Sequence, residues 1–388
     1  MSTLMQASRN WATRPNDQRF TSLIELNDAV HASFTHSKAK VMASKALRAE
    51  PFKVQPADAI PSGLAIKGPN GGAVIPTHYA FTQLAGLIGA PAGYLRTLPT
   101  PLAADNINYG LHFSRNSQDV GVLLTRDGEV NELRAVTGPR YGRIWNKDIC
   151  NALVERFGDG LSGDFRVPGE FGKAVDVTKQ NTTLYASDRD MFVFLADEEH
   201  RIEVKHRRDG ESGSLARGFF VWNSEVGAST FGIALFLFDY VCMNRIVWGV
   251  EDYAEIRIRH TVSAPIHLRE KVIPALDTYA KSSTAGVQQA IESAQKAKVD
   301  NLEKFLAARF TRSEVIGIKA AYEADEHRPI ETLWDATTAV TAYARSLPYQ
   351  DERVALERKG GAILQLVAPS ALPHLAQHAI DGEFEVIS

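Results

Sequence analysis

Between residues 191 and 260, six apolar segments follow one another, and most of the gaps between them are too short to hold a helix. They are Met191–Ala196, Ile202–Lys205, Gly218–Trp222, Thr230–Cys242, Ile246–Val250 and Ala254–His260. Parallel neighbours need a connection of a dozen or more residues, so this spacing predicts an antiparallel meander. Upstream, Val120–Leu124 reaches the turn Asp127-Gly128 and returns through Val130–Val136, which adds a hairpin. The pattern changes at Pro265. Leu268, Val272, Ile273, Leu276 and Tyr279 recur at helical spacing, and helical patterns continue over Val287–Phe310, Ser313–Ala324, Ile330–Ser346 and Asp351–Val367. The expected fold is α+β: a mainly antiparallel central sheet with N-terminal helices and a helical C-terminal region. The expected divisions are a helical or irregular segment over 1–75, an α+β core over 76–262 and a helical region over 263–388.

Four more elements can be read upstream. Ser22–Val30 has the spacing of a short amphipathic helix. Thr77 is placed to cap a helix carrying Phe81, Leu84 and Leu87, which Gly89 and Pro91 end. Asn146 is placed to cap a helix with Ile149, Cys150, Leu153 and Phe157 on one stripe, stopped by Gly158. The turn Gly68–Gly72, between Leu64–Ile66 and Ala73–Ile75, predicts a second hairpin.

Lys and Arg number 43 against 46 Asp and Glu, a net charge of -3. That excludes a uniformly basic binder but not a local basic face. Two cysteines cannot build a disulfide framework, so a reducing, cytoplasmic compartment is expected. Met1–Pro15 has no apolar signal region, and the longest uncharged apolar run, Val226–Phe238, has 13 residues. A membrane-spanning helix needs ~20, so no membrane partner is expected.

The basic residues form three clusters. Arg134, Arg140, Tyr141, Arg143, Trp145 and Lys147 lie where a strand turns at Gly138-Pro139 and enters the Asn146 helix. Cations and aromatics at a helix N-terminus suit a phosphate-bearing ligand. Arg201, Lys205, His206, Arg207, Arg208 and Arg217 surround the turn Asp209–Gly213, which could follow a nucleic-acid backbone. Arg257 and Arg259 alternate with Ile256 and Ile258 on a strand, and charge plus stacking on a sheet face is how single strands are held. Each cluster also has a plain structural reading as solvated charge around packed aromatics.

Catalytic patterns are sparse. No Walker A motif, nucleophile elbow, His-Glu-x-x-His, Cys-x-x-Cys or dinucleotide fingerprint occurs, and no histidine metal set can be argued. The nearest catalytic set is Asp190 followed by Glu203-Val204-Lys205 on the next strand, the layout of one Mg²⁺-dependent nuclease class. The competing reading is a cross-strand ion pair. No cofactor is expected except Mg²⁺ under that alternative.

Gly218–Gly249 contains Asn223-Ser224-Glu225-x-Gly227 and, after an apolar strand, Cys242-x-Asn244. This resembles the phage- and plasmid-borne family called domain of unknown function 932, whose Asn is usually followed by Gly where Arg245 stands here. Thr82–Tyr94, Arg134–Asn146, Trp334 and Arg353–Gly361 are also similar, so the likeness spans about 75–370. The resemblance implies a mobile-element context and no settled chemistry. Taken as residues, Asn223, Ser224 and Asn244 are turn formers, and Cys242 is a small hydrophobe without a histidine to activate it. The functional expectation is a non-enzymatic nucleic-acid-binding protein of phage or plasmid DNA metabolism, with single-stranded DNA binding or annealing favoured. The alternatives are the nuclease and a protein-binding inhibitor of a host defence system acting through the acidic helical region. Homo-oligomers are compatible with each.

Overall fold

The computed structural model describes residues 15–51, 63–68, 72–113, 118–127, 130–168, 176–205, 213–239, 244–246, 255–347, 350–367 and 384–386. The chain begins with β1 (Arg19–Phe20), α1 (Leu23–Thr35), β2 (Ser37–Ala43), β3 (Arg48–Pro51), β4 (Leu64–Lys67) and β5 (Ala73–Pro76). Helices α2 (His78–Leu87), α3 (Ala92–Thr97) and α4 (Thr100–Phe113) precede the hairpin β6 (Asp119–Asp127) and β7 (Val130–Thr137). After α5 (Asn146–Phe157) come β8 (Phe165–Arg166), β9 (Leu184–Ala186), β10 (Met191–Asp197), β11 (Ile202–Val204), β12 (Gly213–Asn223), β13 (Phe231–Asp239), β14 (Asn244–Ile246) and β15 (Glu255–Ile258). The helical part holds α6 (Ala264–His267), α7 (Ile273–Lys281), α8 (Ala285–Lys296), α9 (Leu302–Ala307), α10 (Arg312–Glu326), α11 (Leu333–Ser346) and α12 (Gln350–Gln365), and β16 (Phe384–Val386) follows. The architecture is the expected α+β arrangement with a helical C-terminal region. No helix among the described residues is long and apolar enough to cross a membrane.

The predicted meander is present. The long hairpin β12–β13 runs from Trp222↔Gly232 to Leu215↔Asp239. On one side β10 and β11 are successive pieces of one strand line along β12; on the other, β14 and β15 do the same along β13. One face of this sheet carries Val193, Leu195, Phe219, Val221, Phe231 and Ile233, and α1, α5, α6 and α7 pack on it. Burying each such side chain contributes roughly 1.5–3 kcal/mol. The alternate positions Phe192, Phe194, Phe220, Trp222 and Phe236 form an aromatic layer on the other face. The far end, with Ile202, Val204, Leu215 and Leu237, seats the C-terminal helices around the buried α11.

Three expectations need correction. The segment 1–75 is not a helical or irregular appendage, because β2 to β5 join β6 and β7 in a second sheet of order β2-β6-β7-β5-β4-β3. Strands β3, β4 and β5 have four residues each, and the one parallel contact among the described strands, β5 with β7, is long-range, so local alternation gave little sign of it. The single helix expected over Val287–Phe310 is two, α8 and α9. Between them Val299 N–H bonds the Glu331 carbonyl, Lys298 bridges to Thr332, and Asn301 caps α9. Finally, β16 returns to pair with β15 after the helical region. Elsewhere the local signals acted as read: the helix expected over Ser22–Val30 is α1, Thr77 accepts from Ala80 N–H, and Gly158 ends α5 at φ 61°; Ser22 in addition caps α1 by accepting from Glu25 N–H. A π-turn at Leu268–Val272 joins α6 to α7, and Pro274, which lacks an N–H, accounts for the broken ladder.

Candidate functional site

The turn Asn223–Gly227 leaves the end of β12 and sits where the two sheets meet. Asn223 and Ser224 are fully buried and Glu225 nearly so. Asn223 Nδ2 donates to the Ile144 carbonyl (2.9 Å) and to Asn146 Oδ1 (2.7 Å). Ser224 Oγ donates to the Arg189 carbonyl and accepts from Ala228 N–H. Gly227 has φ 84°, a left-handed conformation that a side chain would strain.

Glu225 organises the junction. Its Oε1 accepts from Asn146 N–H at 2.9 Å, and its Oε2 lies 3.2 Å from Arg134 Nη2. Asn146 is therefore the first residue of α5 rather than its cap; Trp145 is the N-cap residue, without a side-chain capping bond. A carboxylate from the turn after β12 serves this buried N–H, which has no partner within the helix and lies where the helix dipole favours negative charge.

Arg134 is 4% exposed and also donates to the Asp188 carbonyl from Nε and Nη2. Its charge is used inside the protein. This corrects its assignment as a phosphate contact, since a buried cation of this kind holds its neighbours and does not meet a solvent-borne ligand. A cavity of about 230 Å³ adjoins the pair, lined in part by Ser33, Glu132, Arg134, Asp188 and Glu225.

Tyr141, Arg143 and Trp145 lie outside that buried knot. Tyr141 donates from its hydroxyl to the Ser224 carbonyl at 2.9 Å and stacks on His260 with ring centres 4.7 Å apart. Burial raises its phenol above the usual range, against a smaller lowering by Arg143. Trp145 meets Phe34 edge-to-face at 4.8 Å. The Arg143 guanidinium lies over both rings, 5.2 Å from Tyr141 and 5.5 Å from Trp145. Its Nε and Nη1 are enclosed without hydrogen-bond partners, which leaves Nη2 as the outward edge. Burial lowers its pKa; Tyr141 and Glu225 oppose that shift and Arg134 adds to it. Guanidinium remains charged regardless.

The first and third clusters meet here. Gly142 N–H donates to the His260 carbonyl at 2.9 Å, and His260 Nδ1 lies 3.2 Å from the Gly142 carbonyl. A Cβ at Gly142 would stand 1.6 Å from the Thr261 carbonyl oxygen, so only glycine permits this approach. Burial lowers the His260 pKa to about 4; its bond to Gly142 opposes the shift and Arg143 adds to it. Because a carbonyl only accepts, the bond to Gly142 forms with the Nδ1–H tautomer of the neutral ring.

The remaining predicted residues are distributed around this surface or away from it. Arg140 is exposed. Lys147 pairs with Asp148 at 2.7 Å and lies over the Phe34 ring at 4.4 Å. Arg257 and Arg259 do not form an equivalent pair: Arg257 is half-buried in register with Gly232, whereas β15 ends at Ile258 and Arg259 is exposed beyond it. Arg217 is buried on Asp197 and the carbonyls of Tyr279, Ala280 and Ser282 at the end of α7, so it leaves the second cluster. Arg207, Arg208 and Cys242 lie outside the described residues. Asn244 opens β14 in register with Asp239.

The nuclease set is not assembled. Asp190 precedes Met191, in register with Asn223, while Glu203 is in register with Ser214 and Lys205 lies just beyond. Nine residue steps of β12, Ser214 to Asn223, separate those ends, roughly 30 Å at the rise of a strand. No group of three metal-ligating side chains occurs among the described residues.

Sequence reading missed Tyr79, Gln83 and Arg189. Tyr79 and Gln83, one turn apart on α2, donate to the carbonyls of Gly227 (2.9 Å) and Val226 (2.8 Å), and Arg189 lies over the Tyr79 ring at 4.9 Å. Two polar residues at i, i+4 on an apolar helix were the available signal.

Residues 174–353 match the family described as Domain of unknown function (DUF932). The match includes the Asn223–Gly227 turn and Cys242-x-Asn244. The similar segments Thr82–Tyr94 and Arg134–Asn146 lie before it, so the residues that wrap the motif come from outside the matched part. No curated protein and no solved structure matches the chain.

Proposed function

We propose that this chain, a member of the DUF932 family, binds single-stranded nucleic acid on the surface formed by Arg140, Tyr141, Arg143, Trp145, Arg189 and Arg259. The observation that carries the reading is Arg143. Its guanidinium is clamped over two aromatic rings and makes no hydrogen bond or ion pair among the described residues. A cation fixed in orientation but not neutralised has already lost the rotamer freedom that binding would otherwise cost. Its planar edge suits a phosphate or the rim of a base. The Glu225–Arg134 knot beneath it holds the loop in place. The biological setting is DNA metabolism of a phage or plasmid, and the activity is binding or annealing without cleavage.

Gel shift and fluorescence anisotropy on single- and double-stranded oligonucleotides, with and without Mg²⁺, test the proposal. Retention of the single strand without products supports it. Mg²⁺-dependent products would revive a nuclease with a site other than Asp190, Glu203 and Lys205. Absence of binding at low salt would overturn it in favour of a protein partner.

A further inference from the structure

The second sheet has a feature that nucleic-acid binding does not use. Its edge strands β2 and β3 are joined by Ser44–Leu47 alone. Six strands laid flat would set those edges ~24 Å apart, whereas the five residue steps from Ala43 to Arg48 reach at most roughly 17 Å. The sheet must therefore curl, and its concave face becomes the wall of a pocket. Helices α2, α3 and α4 share one packed core with that face. A cavity of about 450 Å³ opens on it, lined by Met42, Leu47, Ile66, Val74, Val122 and Leu124.

The rim of this cavity is cationic. Alternation along β2 sets Lys38 and Lys40 on the side of Met42, and along β6 it sets Arg126 on the side of Val122 and Leu124. All three line the cavity together with His36, and no Asp, Glu, Phe, Tyr or Trp side chain lines it among the described residues. None of Lys38, Lys40 and Arg126 makes an ion pair among the described residues. The walls are mainly aliphatic, with Thr35, Ser37, Thr125 and Asn131 as neutral hydrogen-bonding groups and His36 as the one ring among the described lining residues, which suits an alkyl chain better than a base. A mouth whose cations make no ion pair among the described residues disfavours amines.

We propose that this pocket binds a medium-chain aliphatic carboxylate, with the chain along Met42, Val122 and Leu124 and the carboxylate among Lys38, Lys40 and Arg126. Pockets that hold such ligands are mostly apolar, with a few polar groups fixing orientation, and cover the same range of volume.

Isothermal titration of the full chain with octanoate, octanol and octylamine tests the proposal. Octanoate is expected to saturate one site, at least tenfold more tightly than octanol, with affinity falling as salt rises; octylamine is expected not to bind. Lys40→Glu/Arg126→Glu, at the solvent-facing rim, should weaken octanoate at least tenfold. Leu124→Trp should abolish binding by filling the cavity, with circular dichroism to verify its fold. The Arg143→Ala variant should bind octanoate like the parent, which separates this site from the nucleic-acid surface. No saturable octanoate binding, equal affinity for octanoate and octylamine, or parental affinity in the rim double variant would overturn the proposal.

Discussion

Arg134 and Arg143 stand nine positions apart in the sequence, on the same strand-turn-helix connection, and have opposite surroundings. Arg134 is enclosed with Glu225 and the Asp188 carbonyl, so its donors and charge are spent within the fold. Arg143 has ring faces for neighbours and no hydrogen-bond acceptor among the described residues. The difference lies in what the other sheet brings to each. Glu225 reaches Arg134 as a direct ion pair from the end of β12, whereas the direct contacts of the Arg143 guanidinium among the described residues are Tyr141 and Trp145 of its own loop. Cations of equal charge in one cluster therefore divide into a structural group and a surface group.

Removing Glu225 is the most severe way to break the comparison. Glu225→Ala leaves Arg134 buried without its counter-charge and the α5 N-terminus without its acceptor. It should cost about 3–5 kcal/mol in urea unfolding. Arg143→Ala, which strands no buried partner, should cost much less. Equal losses for the two variants would show that Arg143 is also structural.

The next largest effect is pH-dependent. His260 has a folded pKa of about 4 against 6.5 ordinarily. Between those values the unfolded chain binds more protons, so stability rises with pH across the window. The contribution is present above pH ~6.5 and is lost as pH falls through ~4, to a total of up to roughly 3 kcal/mol. His260→Phe should flatten this part of the stability profile; an unchanged slope would place the titration elsewhere.

On the binding side, Arg143→Ala should weaken single-stranded oligonucleotide by about tenfold, the scale of one cation-π-held arginine. It should also lower the salt slope by ~0.7, the value for one phosphate contact on a single strand. Anisotropy at several salt concentrations reads both quantities, and an unchanged slope would remove Arg143 from the interface. The smallest effect should come from Tyr141→Phe. Loss of its bond to the Ser224 carbonyl should cost about 1 kcal/mol of stability. The ring remains to support Arg143, so oligonucleotide affinity should hold.

The sequence by itself determined the elements whose cause is local. The apolar runs Met191–Ala196 and Gly218–Trp222, the helix over Ser22–Val30, the cap at Thr77, and the breaks at Gly89 and Gly158 rest on neighbours a few residues away. They appeared where the pattern placed them. The Asn223–Gly227 motif was legible as a turn for the same reason. What it holds together was not legible, because its partners Asn146, Arg134, Tyr141, Tyr79 and Gln83 lie 77 to 148 positions away. Only the tertiary structure decided that Glu225 caps α5 in place of Asn146, that Arg134 and Arg217 are interior, and that Asp190 and Glu203 lie at opposite ends of β12. Composition and spacing record which charges a chain carries. Whether a charge meets solvent or a counter-charge depends on which distant strand arrives beside it, and a local pattern carries no term for that encounter.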